Sequence, residues 1–454
     1  MYNIHRLLMF KDLLVQSAKL ISKTSKKLNL GAGSTWPGHI ALKLNPNIIS
    51  ELLANSSTEV ILIVGTNGKT TTSTILTTIL KEDGKKVIQN TSGANLLNGI
   101  ASSLLLSTNT KGQLNSDFAV FEVDENNLPI VLKYITPKEI IALNLFRDQL
   151  DRYGELDSIA KKWNRAFRHL NESTTLILNA DDPLIAYLAK DAFAKVAYFG
   201  LSEKEVGTKI LEHASDSIYC PNCGNKLKYT KIFFSHLGIW HCSSCGVKRP
   251  LPSISEVNSP LPGKYNLYNS LSAVLSAQVL GVKNEIIKSA LEKVKPAFGR
   301  QEILNYKNKT VQIFLSKNPT SMNQSLSTIT ELGAKNVLFV LNDQIPDGRD
   351  VSWIWDIDFE KYIETFESIV ISGDRTFDMA LRLQYSSKGQ NEKKKIQNYT
   401  KYQILNTKYF VASDLKTALD TAITELPQNE TLYILPTYSA MLEVRKILTG
   451  RKIL

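Results

Sequence analysis

Cysteine is scarce in this sequence, and long apolar runs are missing from it. Only four of the 454 residues are cysteine, and all four lie within residues 220–245. No stretch approaches the ~18 consecutive apolar residues that a helix needs to span a bilayer. The apolar run Leu7–Phe10 is broken at once by Lys11 and Asp12, and it is too short for the core of a signal peptide. We therefore expect a cytoplasmic protein, in which disulfide bonds are not expected.

The charge of the chain is basic, but the rest of its composition is ordinary. It has 54 lysine and arginine residues against 43 aspartate and glutamate residues, a net charge of +11. Such a balance suits an anionic partner, which can be a nucleic acid, a phosphate-rich substrate or the inner surface of a membrane. A well-solvated surface explains it equally well. With 43% hydrophobic and 21% charged residues, a chain of this length predicts a soluble protein of two or three domains.

The segment from Val60 to Thr72 narrows the chemistry most. It reads V-I-L-I-V-G-T-N-G-K-T-T-T, an apolar strand that runs into a loop with a glycine at each end and then into a lysine and threonines. Backbone N–H groups of such a loop point at phosphate oxygens, and the following helix adds its positive N-terminal dipole. We predict that Lys69 reaches the β- and γ-phosphates of a nucleoside triphosphate and that the Thr70 hydroxyl binds Mg²⁺. Ile63 stands where the usual phosphate-loop pattern has its first glycine.

The short loop form G-T-N-G-K-T-T is the one that Mur ligases and folylpolyglutamate synthetases carry, and the chain resembles the central ATP-binding domain of a Mur ligase. Four further segments agree with that domain in the same order. They are Phe121–Asp124, Asn179–Pro183, Gly263–Asn269 and Phe298–Glu302. The nucleotide-binding residues that the resemblance implies are Gly65, Thr66, Asn67, Gly68, Lys69, Thr70, Thr71, Asn269 and Arg300. It also implies that Glu122 joins Thr70 in binding Mg²⁺.

Some positions depart from the Mur ligase pattern or allow two interpretations. The segment Asn144–Asp151 is similar to the family's N-x-x-x-D-H-L-D motif, with glutamine at 149 in place of histidine. The segment Lys317–Ser321 is similar to its H-N-P-x-S turn, with lysine in place of histidine. Asn269 matches the adenine-binding asparagine of the family, whereas Asn266 can equally cap a helix predicted over Leu267–Leu280.

The N-terminal part is short for a Mur ligase. The phosphate loop begins after only about sixty residues, which leaves no room for the domain with which soluble Mur ligases bind a UDP-linked precursor. The resemblance therefore points to a substrate without a UDP group. Apolar residues at helical spacing predict an amphipathic helix from Ile4 to Leu28, which can pack on its own domain or rest on an anionic membrane.

The four cysteines form a C-x₂-C-x₁₈-C-x₂-C pattern, with a glycine after each pair. Two such pairs place four thiolates within reach of one tetrahedral ion, which predicts a structural zinc ribbon. Its predicted ligands are Cys220, Cys223, Cys242 and Cys245. His236 and His241 are nearby alternatives, although surface or outer-shell positions suit them better. A ribbon inserted into a ligase domain favours a lid or a docking element over a nucleic-acid-binding module.

Three features distinguish the chain within the family: the glutamine at 149, the cysteine-rich insertion and the C-terminal segment Asp347–Asp356. With them, the chain resembles one branch of the family, the MurT-type subunits of lipid II isoglutaminyl synthases. This resemblance covers nearly the whole chain. It implies ATP-dependent amidation of the D-glutamate α-carboxylate of lipid II through an acyl phosphate, in a heterodimer with a GatD-type glutaminase. It also implies that Asp350 orients the catalytic histidine of that partner, with Asp347 and Asp356 as alternatives. No nucleic acid is expected as a partner, and the expected location is the inner face of the cytoplasmic membrane.

The source of the ammonia can also be argued from the cysteine count. Glutamine hydrolysis generally uses a cysteine thiolate, and the predicted ribbon accounts for all four cysteines. A separate glutaminase subunit is therefore expected. Two other functions stay open at this point. One is a Mur or folylpolyglutamate-type ligase that adds an amino acid without a partner, and the other is a zinc-ribbon ATPase that binds nucleic acid.

Strands and helices alternate through most of the sequence, which predicts an α/β fold. We assign residues 1–45 to a helical segment, 46–300 to a Mur ligase-type ATP-binding domain with the ribbon inserted at 216–250, and 301–454 to a Rossmann-like C-terminal domain. The strands predicted in the first α/β domain are Val60–Val64, Phe118–Val123, Ile140–Asn144, Leu176–Asn179 and Val196–Phe199. Those predicted in the second are Val311–Leu315, Asn336–Leu341, Ser368–Ser372, Tyr409–Ala412 and Thr431–Pro436. Residues 385–402 are rich in Lys, Gln, Asn and Ser and predict a surface loop.

Overall fold

The computed structural model describes residues 35–90, 93–109, 112–148, 156–386, 402–404 and 407–450. The predicted helix from Ile4 to Leu28 lies outside these residues. Residues 149–151 of the N-x-x-x-D-H-L-D match and residues 387–401 of the predicted surface loop also lie outside them. Within the described ranges, no helix is both long enough and apolar enough to cross a membrane.

Six parallel strands form the sheet of the first α/β domain, in the order β2-β3-β1-β4-β5-β6. The strands are β1 Glu59–Val64, β2 Val87–Gln89, β3 Phe118–Glu122, β4 Glu139–Ala142, β5 Thr175–Asn179 and β6 Lys195–Phe199. All five strands predicted for this domain are confirmed, whereas the three-residue β2 is not apparent from the sequence pattern. From β1 the chain crosses to one side to form β2 and β3, and then to the other side to form β4. The carboxyl end of β1 is therefore a switch point, where α/β sheets bind ligands.

Helices cover both faces of this sheet. They are α1 Trp36–Leu44, α2 Ile48–Ala54, α3 Lys69–Glu82, α4 Leu97–Ser107, α5 Leu128–Val131, α6 Leu156–Phe167, α7 Pro183–Tyr187, α8 Lys264–Val279 and α9 Asn284–Glu292. Successive strand residues point to opposite faces of a sheet. Ile61 and Ile63 share a core with α3 and α8, whereas Leu62 and Val64 share the other core with α1, α2 and α4. The helix that follows the phosphate loop thus packs on one face of the sheet, beside α8.

The segment that precedes the phosphate loop packs closely against the first domain. The backbone N–H of Gly38 in α1 donates a hydrogen bond to Ser102 Oγ of α4 at 2.7 Å. A Cβ atom at Gly38 would lie 2.0 Å from the carbonyl oxygen of Asn98. Only glycine fits at this position, so the close approach of the two helices depends on it.

An insertion separates β6 from α8. Within it, β7 Lys228–Phe234 and β8 Leu237–His241 form an antiparallel hairpin. One cysteine pair precedes β7, and the other follows β8 directly. The two pairs therefore lie at the same end of the hairpin, opposite its turn.

Seven strands form the sheet of the second domain, in the order β13-β14-β12-β11-β15-β10-β9. They are β9 Arg300–Tyr306, β10 Lys309–Phe314, β11 Asn336–Val340, β12 Ser368–Ser372, β13 Tyr402–Ile404, β14 Thr407–Val411 and β15 Thr431–Pro436. The accompanying helices are α10 Pro319–Glu331, α11 Thr376–Ser386, α12 Leu415–Glu425 and α13 Tyr438–Thr449. The five predicted strands are confirmed as the parallel interior. The antiparallel edge strands β9 and β13 are additional to that prediction.

The buried carboxyl group of Glu139 predicts a pH dependence of stability. Ser276 of α8 donates a hydrogen bond to it, and burial raises the pKa of Glu139 from 4.5 to about 8. Between these values the folded state keeps a proton that the unfolded state releases, so this group lowers stability as pH rises, by at most about 1.4 kcal/mol per pH unit. In thermal melts, the stability of Glu139→Gln relative to the wild type should therefore increase as the pH rises from about 5 to about 8. A difference in melting temperature that is constant with pH would contradict this prediction.

Candidate nucleotide site and zinc centre

A cavity of about 470 Å³ lies between the two α/β domains, beside the carboxyl ends of β1, β3 and β4. Nine of the predicted site residues line it, namely Thr66, Asn67, Gly68, Lys69, Thr70, Thr71, Glu122, Asn269 and Arg300. Gly65 lies next to the cavity, and its carbonyl oxygen accepts a hydrogen bond from Lys69 Nζ at 2.5 Å. The structure thus brings together residues that are far apart in the sequence.

The conformation of the phosphate loop depends on two asparagine side chains. Asn144 accepts a hydrogen bond from the N–H of Asn67 at 2.9 Å and donates one to its carbonyl oxygen at 3.1 Å. Gly68 has a φ of +93°, and a Cβ atom there would lie 2.1 Å from Asn269 Oδ1. Only glycine fits between the loop and α8, so Asn269 lies directly against the loop.

Asn266 orients Asn269 and is not a helix cap. Helix α8 begins at Lys264, so Asn266 is inside its first turn, and the alternative interpretation of Asn266 as the N-cap is wrong. Its side-chain oxygen accepts a hydrogen bond from Asn269 Nδ2 at 3.1 Å, and its Nδ2 donates one to the Pro262 carbonyl at 2.7 Å. The amide of Asn269 therefore has a fixed orientation at the edge of the cavity.

Thr70 and Glu122 form the predicted magnesium pair. The Thr70 hydroxyl donates a hydrogen bond to Glu122 Oε2 at 2.7 Å. Asn90 fixes the backbone of Glu122 with hydrogen bonds of 2.9 Å to both its N–H and its carbonyl group. Burial raises the pKa of Glu122, while Arg300 and Thr70 act to lower it. A hydroxyl and a carboxylate oxygen side by side are hard donors of the kind that Mg²⁺ prefers, so the pair fits this ion.

Four further charged residues line the cavity without having been predicted as site residues, namely Asp124, Glu125, Asp148 and Lys317. Glu125 accepts a hydrogen bond from Lys69 Nζ at 3.3 Å. Lys317 of the second domain forms an ion pair with Asp148 of the first. Burial disfavours the charge of Lys317, but Asp148 and Glu125 outweigh that effect and raise its pKa. Two features of the sequence could have identified three of these residues. Glu125 is only three residues from Glu122, and Asp148 and Lys317 lie inside two segments that match family motifs.

Other contacts fix the two domains relative to each other. The side-chain amides of Asn67 and Asn318 exchange hydrogen bonds of 3.2 and 3.5 Å across the domain boundary. Arg147 forms an ion pair with Asp356 at 3.2 Å. Because Asn67 belongs to the phosphate loop, the second domain contacts the loop directly.

The matched segment Asn179–Pro183 has a structural role. The carboxylate of Asp181 is fully buried and accepts hydrogen bonds from Arg249 Nε at 2.6 Å, Tyr268 Oη at 2.7 Å and the Leu201 N–H at 2.8 Å. Arg249 follows the last cysteine, and Tyr268 directly precedes Asn269. One carboxylate therefore joins the end of the insertion to the helix that carries the predicted adenine-binding residue.

The four cysteines converge on one point. The Sγ atoms of Cys220, Cys223, Cys242 and Cys245 all lie within 4.8 Å of one another. In the part of the chain that the structure describes, no histidine belongs to this cluster. His236 is instead fully buried, with its ring centroid 4.8 Å from that of Phe146. Four thiol groups at this spacing fit a tetrahedral zinc ion, and the closed set leaves no coordination position for a substrate.

The three aspartates of the C-terminal motif have different surroundings. Asp347 is buried and accepts a hydrogen bond from the Ser439 N–H at 2.9 Å, at the start of α13. Asp356 is partly buried against Arg147. Asp350 is exposed, and hydrogen bonds with Ser352 lower its pKa. Of the three, Asp350 therefore offers an ionised carboxylate at the surface, outside the nucleotide cavity.

Two family models match the chain. The model described as Mur ligase middle domain matches residues 63–277, and the one described as MurT ligase C-terminal matches residues 315–441. The MurT subunit of the glutamine-hydrolysing lipid II isoglutaminyl synthase of Staphylococcus aureus strain COL is 36% identical over 393 residues, which cover 81% of this chain and 86% of the relative. The subunit of the same name from Streptococcus pneumoniae R6 is 34% identical over 445 residues, which cover 93% and 94%.

Solved Mur ligase structures have the same fold. MurF from Acinetobacter baumannii superposes with a TM-score of 0.62 and 21% identity, covering 91% of this chain and 80% of that one. A pseudomurein peptide ligase type C from Methanothermus fervidus superposes with a TM-score of 0.60 and 22% identity, covering 87% and 79%. These similarities confirm the predicted Mur ligase-like α/β fold.

The cysteine cluster predicts a measurable metal content. Because structural zinc sites couple metal binding to folding, Cys223→Ser or Cys242→Ser should lower the bound zinc of the purified protein well below about one equivalent and lower its melting temperature. Ser243→Ala, an exposed change between two ligands, should leave both quantities unchanged. Elemental analysis and thermal melts measure the two effects. A zinc-free wild-type protein, or full zinc content in the cysteine variants, would contradict the ribbon.

Proposed function

The chain belongs to the MurT family of Mur ligases, and on that basis we propose that it is the ATP-dependent ligase subunit of a lipid II isoglutaminyl synthase in peptidoglycan synthesis. Its reaction converts the α-carboxylate of the D-glutamate residue of lipid II to the amide. One observation carries the proposal: a single cavity unites the phosphate loop, the Thr70–Glu122 pair and Asn269 in a chain similar to MurT subunits over most of its length.

The residues of the cavity suit the binding of MgATP. The loop amides and Lys69 bind the phosphates, and Asn269 binds the adenine beside Gly68. Thr70 and Glu122 hold Mg²⁺, which when bound shields the negative charge of the phosphates. Arg300 lies close enough to Glu122 for each to alter the pKa of the other. It therefore places a second positive charge near the reacting phosphate.

The proposed reaction has two steps. A carboxylate oxygen of the substrate attacks the γ-phosphorus of ATP, and the bond from this phosphorus to the bridging oxygen breaks, which yields ADP and an acyl phosphate. Ammonia then attacks the acyl carbon and loses a proton, and the carbon–oxygen bond to phosphate breaks. The products are the amide, phosphate and ADP. The fixed positive groups of the cavity stabilise the charge that develops on the transferred phosphoryl group.

The ammonia is proposed to come from a separate glutaminase subunit of the GatD type. In the described part of the chain, all four cysteines belong to the ribbon cluster, so none is available as the nucleophile of glutamine hydrolysis. Asp350 offers an ionised surface carboxylate that can orient a partner's histidine, as the aspartate of a catalytic triad does. We therefore propose this role for Asp350 rather than for Asp347, which is buried, or Asp356, which forms an ion pair with Arg147.

Exposed apolar residues in the segment after Asp350 and in α11 suit a protein partner. Trp355, Phe377, Leu381 and Tyr385 are large apolar residues that are 45–58% exposed. The rings of Trp355 and Tyr385 are 5.8 Å apart, and Trp355 lies in the turn that follows Asp350. Neighbouring exposed apolar side chains of this kind mark protein interaction sites.

A second cavity of about 470 Å³ is formed by the segment that precedes Asp350. It is lined by Asp343, Gln344, Ile345, Pro346 and Arg349. Ile345 and Pro346 also line the nucleotide cavity. A short segment thus separates the surface near Asp350 from the proposed site of amidation, which suits the transfer of ammonia from a partner bound there.

Family membership favours amidation over the two alternative functions. A ligase that adds an amino acid without a partner would form a peptide bond from ATP and an amino acid as the isolated chain. A nucleic-acid-binding ATPase would hydrolyse ATP faster with nucleic acid and lose that stimulation steeply with salt. The lipid-linked substrate further suggests peripheral contact with the inner face of the cytoplasmic membrane, which stays a prediction.

The phosphate and magnesium roles can be tested together. Lys69→Ala and Glu122→Ala should lower ATP-dependent amidation by roughly a hundredfold or more, because each removes a group that stabilises phosphoryl transfer. Circular dichroism and zinc content should match the wild type, since neither residue contacts the ribbon. Amidation assays of lipid II with the partner present measure the effect. Full activity in either variant would remove the role assigned to that residue.

The role of Asp350 can be separated from that of the nucleotide site. Asp350→Asn should lower glutamine-driven amidation on the order of ten-thousandfold, as loss of the orienting carboxylate does in a triad, while the complex still assembles. Amidation with free ammonium should survive, because Asp350 acts only in ammonia production. Glu364→Gln, at an exposed acidic residue of the same domain, serves as the control and should keep both activities. Loss of both activities in Asp350→Asn would contradict the assignment, and so would loss of neither.

A further inference from the structure

The zinc ribbon reaches the nucleotide cavity with the turn of its hairpin. Phe234 at the end of β7 and Leu237 at the start of β8 both line this cavity. They are paired across the hairpin, so their side chains lie next to each other on one face. Both are almost completely buried. Neither residue belongs to a motif that the proposed function uses.

These two side chains adjoin the predicted position of the nucleoside. The ring of Phe234 contacts Tyr268 edge to face, with centroids 5.6 Å apart, and its centroid is 6.2 Å from that of Phe146. Tyr268 precedes Asn269 in the chain, and Phe146 exchanges backbone hydrogen bonds with the Thr66 side chain of the phosphate loop. The aromatic cluster therefore connects the loop to the helix that carries Asn269.

The hairpin is held firmly against the first domain. Trp240 Nε1 donates a hydrogen bond to the Ala180 carbonyl at 3.1 Å, and the Gly238 N–H donates one to the Asp181 carbonyl at 3.1 Å. At the turn, the Ser235 hydroxyl bonds to the Ala214 carbonyl at 2.6 Å. At the opposite end, the cysteine cluster closes the base of the hairpin. A hairpin that is fixed at both ends loses little conformational freedom when a ligand binds beside it, which favours affinity.

We propose that the turn of the zinc-ribbon hairpin is the nucleoside wall of the nucleotide site, in which Phe234 contacts the base or sugar of ATP and the fully buried Leu237 supports Phe234. An aromatic ring supplies a flat apolar surface for a nucleobase, and the phosphates lie at the charged end of the cavity, near Lys69 and Glu122. The ribbon is then part of the substrate site and not only a lid or a docking element. This inference rests on the proposed function, because it takes ATP as the ligand.

Phe233 provides a matched control. It precedes Phe234 on the same strand and is equally buried, but it does not line the cavity. Phe233→Ala and Phe234→Ala both leave a space of the same size in the same hairpin. A general loss of stability should therefore affect both variants, whereas a loss of nucleoside contact should affect only Phe234→Ala.

The test measures binding of ATP and of tripolyphosphate, each with Mg²⁺, to the full-length zinc-loaded chain by calorimetry. Phe234→Ala should raise the Kd for ATP roughly tenfold and leave the Kd for tripolyphosphate unchanged. Leu237→Ala should act in the same direction, and Phe233→Ala should bind both ligands as the wild type does. Should the alanine variants fail to fold, the pair Phe234→Leu and Phe233→Leu makes the same comparison with a smaller loss of packing.

The outcomes separate this inference from the proposed function. Lys69→Ala should weaken the binding of both ligands, because it acts on the phosphates. A wild-type protein that binds neither ligand would overturn the proposed function itself. If the wild type binds ATP, two results would overturn the nucleoside wall alone. In one, Phe234→Ala binds ATP as tightly as the wild type does; in the other, it loses affinity for ATP and tripolyphosphate to the same extent.

Discussion

The buried carboxylate of Asp181 is the interaction on which the first domain depends most. A charge without solvent is costly unless it is paired and fully hydrogen-bonded, and three donors from separate parts of the chain satisfy this one. Arg249 comes from the end of the insertion, Tyr268 from α8 and the Leu201 N–H from the segment after β6. Because all three must converge, the insertion has one position relative to the nucleotide cavity. The proposed zinc site at one end of the ribbon and the proposed nucleotide site near its other end share this anchor.

The chemistry of the cavity lies at a domain boundary. The first domain supplies the phosphate loop and the proposed magnesium pair, and the second supplies Lys317 and Asn318. Both contacts reach residues at the carboxyl ends of strands in the first sheet, where the ligand is expected. A change in the angle between the domains would therefore alter the site itself. In this arrangement, the groups proposed to bind ATP and the surface proposed to bind a glutaminase are parts of one continuous structure.

The sequence predicted those parts of the fold and site that short segments determine. The interior strands, the phosphate loop and the cysteine pairs depend on local periodicity or spacing, so they could be recognised without the structure. Contacts between distant segments could not, because no local pattern records them. Lys317 against Asp148, and Phe234 at the cavity, are of this kind. Asn266 was ambiguous for a related reason, since an asparagine near a helix start suits a cap and a side-chain contact equally well.

The order of strands in the second sheet has a consequence for synthesis of the chain. Strand β15, Thr431–Pro436, lies between β10 and β11 and pairs with both. Without it, the sheet consists of two separate parts with unpaired inner edges. A ribosome that has released everything up to residue 430 has therefore delivered a complete first sheet, β1 to β6, but a second sheet that cannot yet close. Until the last segment emerges, the exposed edges are open to pairing with other chains. Correct assembly of this domain should thus be the step most sensitive to premature termination and to chaperone supply.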